Sequence, residues 1–518
     1  MARSTDPTDL TGIDAIKDNL KVGVVGAGTM GRGIAQVVAT SGWSVKLFDI
    51  EPENTKNACR FIEKMLARAV EKKRMSSEQA KASMANVSIV DSMAGLCDCQ
   101  IIIEAATENL DIKRKIFDEL ETVAGDQTIL ATNTSSLSVT TIASRCRHPE
   151  RIAGLHFFNP VPIMKLVEVV GGVRTATWVT EFLYHFGRRL SLEPVRVTDT
   201  PGFLVNQVGR GFTIEAAHLL NEGIATFADI DRIMRDAAGF PMGPFELMDL
   251  TAIDVTQPAT ELIYEQFYHE PRYRPSTLMK TRMDAGLLGR KTGRGFYKYE
   301  GNNQLIPAHP PAPSYDNRPI WLAPAQPEIS EKLMALLKNL GAVVDNGKTA
   351  GDQSLILITP LGTDATTTAH EMKLDPKRSI AIDTLFRLDK HRTLMKTPVT
   401  ASPFTMSAQG LFASDGTPVT IIRDSAGFVS QRIVAMIVNI GCSIAQTGSA
   451  IPEDIDKAVK LGLGYPHGPL TFGDILGADK ILQILNSIFA CTGDPRYRPT
   501  PWLKRRALLG ISLLTSET

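Results

Sequence analysis

The sequence predicts an α/β chain built in two rounds. An N-terminal parallel α/β domain and an all-α domain come first, then a degenerate second α/β unit and a second all-α domain. Three observations carry this expectation. A glycine-rich turn, Gly26-Ala27-Gly28-Thr29-Met30-Gly31, stands between a short apolar strand and a helix. Apolar runs of strand length then alternate with helical patterns up to about residue 200. Finally, the order of motifs in residues 202–298 returns about 225 residues later, a spacing that marks a duplicated domain rather than a solenoid repeat.

Length and charge set the outer bounds. A chain of 518 residues is too long for one core, and about three to four domains are expected. Lys+Arg and Asp+Glu are equal at 56 each, so no global field favours nucleic acid or an anionic membrane. Six cysteines (Cys59, Cys97, Cys99, Cys146, Cys442 and Cys491) form no CxxC pair and have no histidine at metal-ligand spacing. That pattern implies a reducing compartment and no metal. The opening Met1-Ala2-Arg3-Ser4-Thr5-Asp6-Pro7 lacks a signal peptide's apolar core. Apolar stretches such as Ile433–Ala445 read as interrupted or too short to span a bilayer. A cytoplasmic protein is expected.

The first element is the strand Lys21–Val25, followed at once by the glycine turn and a helix through Gly33–Ala39. Gly26 permits the tight turn, Gly28 lets the backbone approach a pyrophosphate, and Gly31 lets helix and strand pack closely. The helix start, with Thr29 and Met30, offers free N–H groups to an anion. A second strand, Val45–Phe48, ends on Asp49, 18 residues past Gly31. An acid there accepts ribose hydroxyls and repels a 2′-phosphate, and Ile50–Glu53 offer no arginine. This Rossmann-type context favours NAD over NADP. The following helix, Asn54–Arg74, carries Lys64, Arg68 and Lys72 on one face. That face is either simply solvated or a clamp for a polyphosphate ligand. The strand Gln100–Ala106 leads into Glu108 and, on the next helix, Lys113. Both stand where ribose and nicotinamide contacts arise, although helix capping and surface charge explain them equally well. The strand Thr128–Asn133 ends in Thr134-Ser135-Ser136-Leu137-Ser138, a hydroxyl cluster that either caps a helix or holds a substrate oxygen.

The stretch Gly154–Pro162, running on into Met164–Val170, is the chemical focus. Two prolines pin a polar turn, and the apolar run after it reads as a buried strand holding Glu168. A buried carboxylate must be paired and hydrogen-bonded. His156, just upstream of the turn, is the obvious partner, and an imidazole held by a carboxylate is a usual general base. The plain structural reading is a core histidine bonded to backbone. Asp199-Thr200-Pro201-Gly202 then breaks the pattern and marks a domain boundary.

Beyond it, Ala426–Arg432 repeats Pro201–Gln207, Gly464–Pro469 repeats Gly239–Pro244, and Asp494–Pro499 repeats Glu270–Pro275. Residues 328–420 read as a worn α/β unit with surviving strands at Ser354–Ile358 and Ser379–Asp383. It has no glycine-rich loop and no His–Glu stretch; Gln431 stands where Asn206 does, and Phe386 near the place of Ser135. The second round is therefore expected to bind no dinucleotide and catalyse nothing. The expected domains are 17–201 (NAD-binding), 202–298 (helical), 299–327 (proline-rich linker), 328–420 (degenerate α/β) and 421–514 (second helical).

Together, Gly26–Gly31, Thr132–Leu137, Gly154–Pro162, Leu166–Val169 and Pro201–Asn206 resemble the 3-hydroxyacyl-CoA dehydrogenase family over residues 20–297. The resemblance implies a His156–Glu168 dyad, with Ser135 and Asn206 as polar groups beside the substrate and Glu108, Lys113 and Ser135 toward NAD. It implies coenzyme A contact by the basic helix, with Lys72 as the matching residue. The implied reaction is NAD-dependent oxidation of an (S)-3-hydroxyacyl-CoA thioester. The duplicated architecture resembles a long form linked to phenylacetate breakdown, which implies 3-hydroxyadipyl-CoA; 3-hydroxybutyryl-CoA in fatty-acid breakdown is the other substrate considered. In short members the helical domain pairs with a second subunit's, so either a homodimer or a monomer with an internal pseudo-dimer is implied. The competing reading is a non-catalytic dinucleotide- or acyl-CoA-binding scaffold of the same fold.

Overall fold

In a computed structural model, residues 19–301 and 303–517 are described. The N-terminal stretch Met1–Pro7 and the first residues of the expected 17–201 domain lie outside them. The chain divides into two compact units: residues 1–207 with 447–463, and residues 208–446 with 464–518.

The first unit is organised by an eight-stranded sheet. Its strands are β1 (Lys21–Val25), β2 (Ser44–Phe48), β3 (Val87–Ile89), β4 (Ile101–Glu104), β5 (Ile129–Thr132), β6 (Ile152–Phe157), β7 (Leu166–Gly171) and β8 (Glu193–Thr198). They run in the order β3-β2-β1-β4-β5-β6-β7-β8. Every pair is parallel except β6 with β7, which the turn at Pro160–Pro162 joins as an antiparallel hairpin. Side-chain alternation divides the core into two layers. Val22, Val24, Ile101 and Ile103 face the helices Thr29–Thr40, Pro52–Glu71 and Thr177–Arg189. Val25, Ile102, Leu130 and Ile152 face the helices Leu110–Val123 and Val139–Ala143. A sheet covered on both faces explains why its strands read as continuous apolar runs.

The second unit holds a hairpin, β9 (Lys298–Glu300) with β10 (Asn303–Leu305), and a five-stranded sheet. That sheet runs β11 (Ile320–Leu322), β12 (Leu355–Ile358), β13 (Ser379–Ile382), β14 (Arg392–Lys396) and β15 (Val419–Ile422) in chain order. Residues 299–327 are therefore more than the expected linker, because they carry β10 and the edge strand β11. Prolines on both sides of three apolar residues concealed β11. Only β13 with β14 is antiparallel. In the first sheet a parallel strand, β6, stands between β5 and the antiparallel β7. The worn sheet lacks a counterpart of that strand, the one that carries His156. The expected class holds: a Rossmann-type α/β domain, helical segments, and a second, smaller α/β sheet with further helices.

The 18-residue helix Val429–Gln446 is long and apolar enough to cross a bilayer by length and composition, contrary to the reading of Ile433–Ala445 as too short. It is almost wholly buried as the core helix of the second unit. From it Arg432 reaches Glu215 (Nε–Oε1 2.8 Å), Glu222 (Nη1–Oε2 2.6 Å) and the Tyr497 hydroxyl (2.7 Å). Burial pushes the Glu215 carboxyl up, but the guanidinium groups of Arg496 and Arg432 outweigh it and hold the group at about 2. Its folded-state value lies below its unfolded one, so its stabilisation is present above about pH 4.5 and lost as pH falls toward 2. Replacing Glu215 by Gln removes the more buried of the carboxylates that neutralise Arg432 and Arg496 and is expected to cost about 3–5 kcal/mol at neutral pH. Urea unfolding at pH 7 and pH 3 checks this: the gap between variant and parent should narrow at the lower pH. Reciprocal pairs join the two repeats as well, with Arg274 Nη2 2.6 Å from Asp494 and Arg498 Nη2 3.5 Å from Glu270.

Candidate active site

His156 and Glu168 sit directly opposite each other in the β6–β7 register. Cross-strand partners of an antiparallel pair project to the same face with neighbouring Cβ atoms. The hairpin therefore brings the imidazole and carboxylate together without help from any loop. His156 Nδ1 lies 2.6 Å from Glu168 Oε2, and both residues are buried. The other carboxylate oxygen, Oε1, accepts the N–H groups of Val205 at 2.9 Å and Leu204 at 3.2 Å. A carboxylate bonded on both oxygens cannot rotate, so the ring plane is fixed as well. Phe158 and Phe203 flank the imidazole, with ring centroids at 4.4 and 5.9 Å. Nε2 has no hydrogen bond to the described residues.

Ser135 and Asn206 meet beside this hairpin. Asn206 Nδ2 donates to the Ser135 carbonyl at 3.3 Å. The Ser135 loop is in turn clamped by Glu108, whose Oε1 accepts from Thr134 Oγ1 (2.6 Å), Ser135 N (3.0 Å), Ser136 N (3.1 Å) and Ser136 Oγ (2.9 Å). Burial raises the Glu108 carboxyl, but the Lys113 ammonium and these donors prevail and keep it below the usual carboxylate range. Lys113 is not the surface charge that the sequence also allowed. It is 1% exposed and bound to both oxygens of Glu104 at 2.8 and 3.0 Å, with Glu108 Oε2 at 3.4 Å. Lys72 stands exposed at the C-cap of the Pro52–Glu71 helix, beside the exposed Lys64 and Arg68. No contact among the described residues brings it to the His156 group.

The glycine turn fits a dinucleotide. Gly26 has φ +98°, and a Cβ there would lie 2.7 Å from the Ala105 carbonyl. A Cβ on Gly31 would strike the Gly26 carbonyl, whereas one on Gly28 would meet nothing within 4 Å. Open space at Gly28 is what a pyrophosphate needs. The Thr29–Thr40 helix has no side-chain cap and no acid in its first turn, so its N–H groups remain for the anion. Asp49 ends β2 as expected, but it also serves the turn itself, accepting from Ala27 N (2.7 Å), Glu51 N and Asn54 Nδ2 (both 3.0 Å). Three of about four lone-pair sites are then in use.

Both models of one family match the chain. The NAD-binding domain of 3-hydroxyacyl-CoA dehydrogenase covers residues 21–200, and the C-terminal domain of 3-hydroxyacyl-CoA dehydrogenase matches twice, at 202–299 and 427–512. The chain belongs to the 3-hydroxyacyl-CoA dehydrogenase family. It is an NAD-dependent oxidoreductase of that family, acting on 3-hydroxyacyl-CoA. It is 36% identical to 3-hydroxyadipyl-CoA dehydrogenase of Escherichia coli over 94% of this chain and 97% of that protein. It is 39% identical to 3-hydroxybutyryl-CoA dehydrogenase of Bradyrhizobium diazoefficiens over 54% of this chain and 96% of that protein. Among solved structures, that of 3-hydroxybutyryl-CoA dehydrogenase from Escherichia coli superposes with TM-score 0.84 at 36% identity, covering 95% of this chain and 98% of that one.

Several contacts around the His156–Glu168 hairpin are not visible in the sequence. Asn133 Oδ1 accepts Phe157 N at 2.8 Å and so ties the β5 end to the histidine strand. Asp199, read as a domain breaker, holds Ser138, Val139 and Thr140 at 2.7–3.0 Å. The helix Pro452–Leu463, from the second repeat, packs on β7 and β8 in the first unit, where Ser449 O accepts Thr198 N at 2.9 Å. A Cβ on Gly462 of that helix would lie 3.0 Å from a methyl of Val205, whose N–H holds Glu168. Gly462→Leu overpacks this contact and is expected to destabilise by about 1–3 kcal/mol. A lowered urea midpoint checks it; an unchanged midpoint means the helix stands off.

Proposed function

We propose that His156 is the general base of the reaction, working through Nε2 on the substrate's 3-hydroxyl, and that Glu168 holds its tautomer. The 2.6 Å contact between His156 Nδ1 and Glu168 carries this reading. With Nδ1–H donated to the carboxylate, the lone pair lies on Nε2, and the imidazolium formed by proton uptake is stabilised by the same carboxylate. NAD, when bound, supplies the acceptor for the hydride that leaves C3. Ser135 and Asn206, linked through the Ser135 carbonyl, orient the 3-oxygen and the thioester carbonyl. Gly26, Gly28, Thr29, Met30, Gly31 and Asp49 hold the dinucleotide, with Glu108 and Lys113 shaping its nicotinamide end. Lys72 keeps only its place in the basic helix in favour of a coenzyme A contact.

The substrate we favour is 3-hydroxyadipyl-CoA, because a relative that matches nearly the whole chain carries that name; a solved structure of similar coverage is named for 3-hydroxybutyryl-CoA, the other substrate to be tested. We propose a cytoplasmic monomer whose two helical repeats stand in for a dimer, supported by the reciprocal Arg274–Asp494 and Arg498–Glu270 pairs. The domain division is proposed as 17–201, 202–298, 299–327, 328–420 and 421–514, with β11 (Ile320–Leu322) at the end of the third segment pairing with the sheet of the fourth. Saturable NADH oxidation with acetoacetyl-, 3-oxohexanoyl- and 3-oxoadipyl-CoA tests the activity and the chain length together. Binding without turnover on all three would support the non-catalytic scaffold instead, and highest kcat/KM on acetoacetyl-CoA would remove the adipyl assignment.

A further inference from the structure

We propose that Glu104 is a positioning residue: a buried carboxylate that fixes the loop on the cofactor side, 105–109, against the loop on the substrate side, 133–138. The proposal rests on the roles given above to Glu108 and Ser135.

Glu104 ends β4 and is fully buried. Its Oε1 accepts Lys113 Nζ at 2.8 Å and Ala106 N at 2.7 Å; its Oε2 accepts Lys113 Nζ at 3.0 Å and Thr132 Oγ1 at 2.7 Å. These contacts use about all the lone pairs a carboxylate has. The donors come from three places: the loop after β4, the helix Leu110–Val123, and the end of β5. Backbone pairing already sets β4 against β5, with Glu104 opposite Thr132. What pairing leaves open is the course of the chain beyond the strand ends, and that is where the side chain acts.

The connection extends both ways. The Ala105–Ala106 backbone forms the wall behind the glycine turn, within 2.9 Å of where a Gly26 Cβ would stand. On the other side, Lys113 Nζ lies between Glu104 and Glu108, and Glu108 gathers the N–H and hydroxyl groups of residues 134–136. Ser135 then passes its carbonyl to Asn206. One run of polar contacts therefore links the dinucleotide turn to the residue proposed to meet the substrate. An apolar pair of similar volume holds a fold as well as a buried ion pair does. Directed bonds to three segments do something an apolar pair cannot, which is to set distance and angle.

Two variants test this. Glu104→Asp keeps the charge that balances Lys113 but withdraws the carboxylate by one methylene, so it cannot span Lys113, Ala106 and Thr132 together. Thr132→Val removes one donor and keeps the shape. Both are expected to fold, as judged by circular dichroism, and to bind NADH less tightly by fluorescence titration. The expected loss is about tenfold for Glu104→Asp, in line with supporting residues elsewhere, and less for Thr132→Val. KM for NADH should rise in parallel, and KM for acetoacetyl-CoA with it, because the loop that carries Ser135 loses the same anchor. If Glu104 only neutralises Lys113, both folded variants keep the parent's NADH affinity, and the proposal is overturned. A rise in KM for NADH with KM for acetoacetyl-CoA unchanged overturns it too, because the two loops are then not held together. Should Glu104→Asp fail to fold, Thr132→Val decides alone. The unmodified protein, assayed first with acetoacetyl-CoA, separates failure of this proposal from failure of the catalytic reading.

Discussion

Replacing His156 by alanine is expected to lower kcat for acetoacetyl-CoA reduction by about 10²–10⁴, the usual contribution of a positioned acid–base group. NADH affinity should not change. The glycine turn lies at the end of β1, and its fit to the pyrophosphate comes from Gly26, Gly28 and Gly31, none of which contacts the imidazole. The fold should survive as well. Glu168 keeps the Val205 and Leu204 N–H groups on one oxygen, and what is lost is the Nδ1 contact to its other oxygen together with one ring between Phe158 and Phe203. Steady-state kinetics with a parallel NADH titration checks both halves. Turnover within tenfold of the parent would show that another group moves the proton.

A second large effect is expected from Glu168→Gln, for a different reason. The amide has nearly the carboxylate's shape, and its oxygen can still accept from Val205 and Leu204. The amide nitrogen must then face His156 Nδ1. Two donors cannot share that contact, so the ring shifts its proton to Nε2 and presents a donor where the substrate needs an acceptor. The same exchange of carboxylate for amide behind a catalytic histidine costs about 10⁴ in serine proteases, where the wrong tautomer is the cause. A loss of about 10²–10⁴ in kcat with a thermal midpoint within a few degrees is the expected result. A large drop in midpoint with near-normal kcat per folded molecule would mean that Glu168 serves stability alone.

Why some of this could be read from the sequence and some could not comes down to how each signal is written. The glycine turn works through backbone conformation, which residue type reports directly, and Gly26 indeed adopts φ +98°. Glu168 betrayed itself as a charge inside an apolar run. Glu104 is the same kind of signal, the last residue of Ile101-Ile102-Ile103-Glu104, and its burial calls for the cation that Lys113 supplies. Asp49 was located, but its bonds to Ala27, Glu51 and Asn54 depend on loop geometry that spacing does not encode. The sequence reading also left out β14 and β15, and β14 opens on a charge, Arg392. In the fold its guanidinium is buried and bidentate to Asp415 at 2.8 and 2.9 Å. The contact of Gly462 with Val205 spans about half the chain, and no local pattern reports a pairing of that separation.

That last contact also bears on how the chain can evolve. The later round has shed the histidine strand and the phosphate turn, so on chemical grounds it looks dispensable. Yet one of its helices closes a wall against the β6–β7 hairpin, and a gene shortened past residue 300 would leave Leu166 and Val205 bare. Drift is free to rewrite β11 to β15, but selection acting on the first round must reach Gly462. A relic kept for its shoulder rather than its hands should therefore vary quickly in its sheet and slowly along Pro452–Leu463.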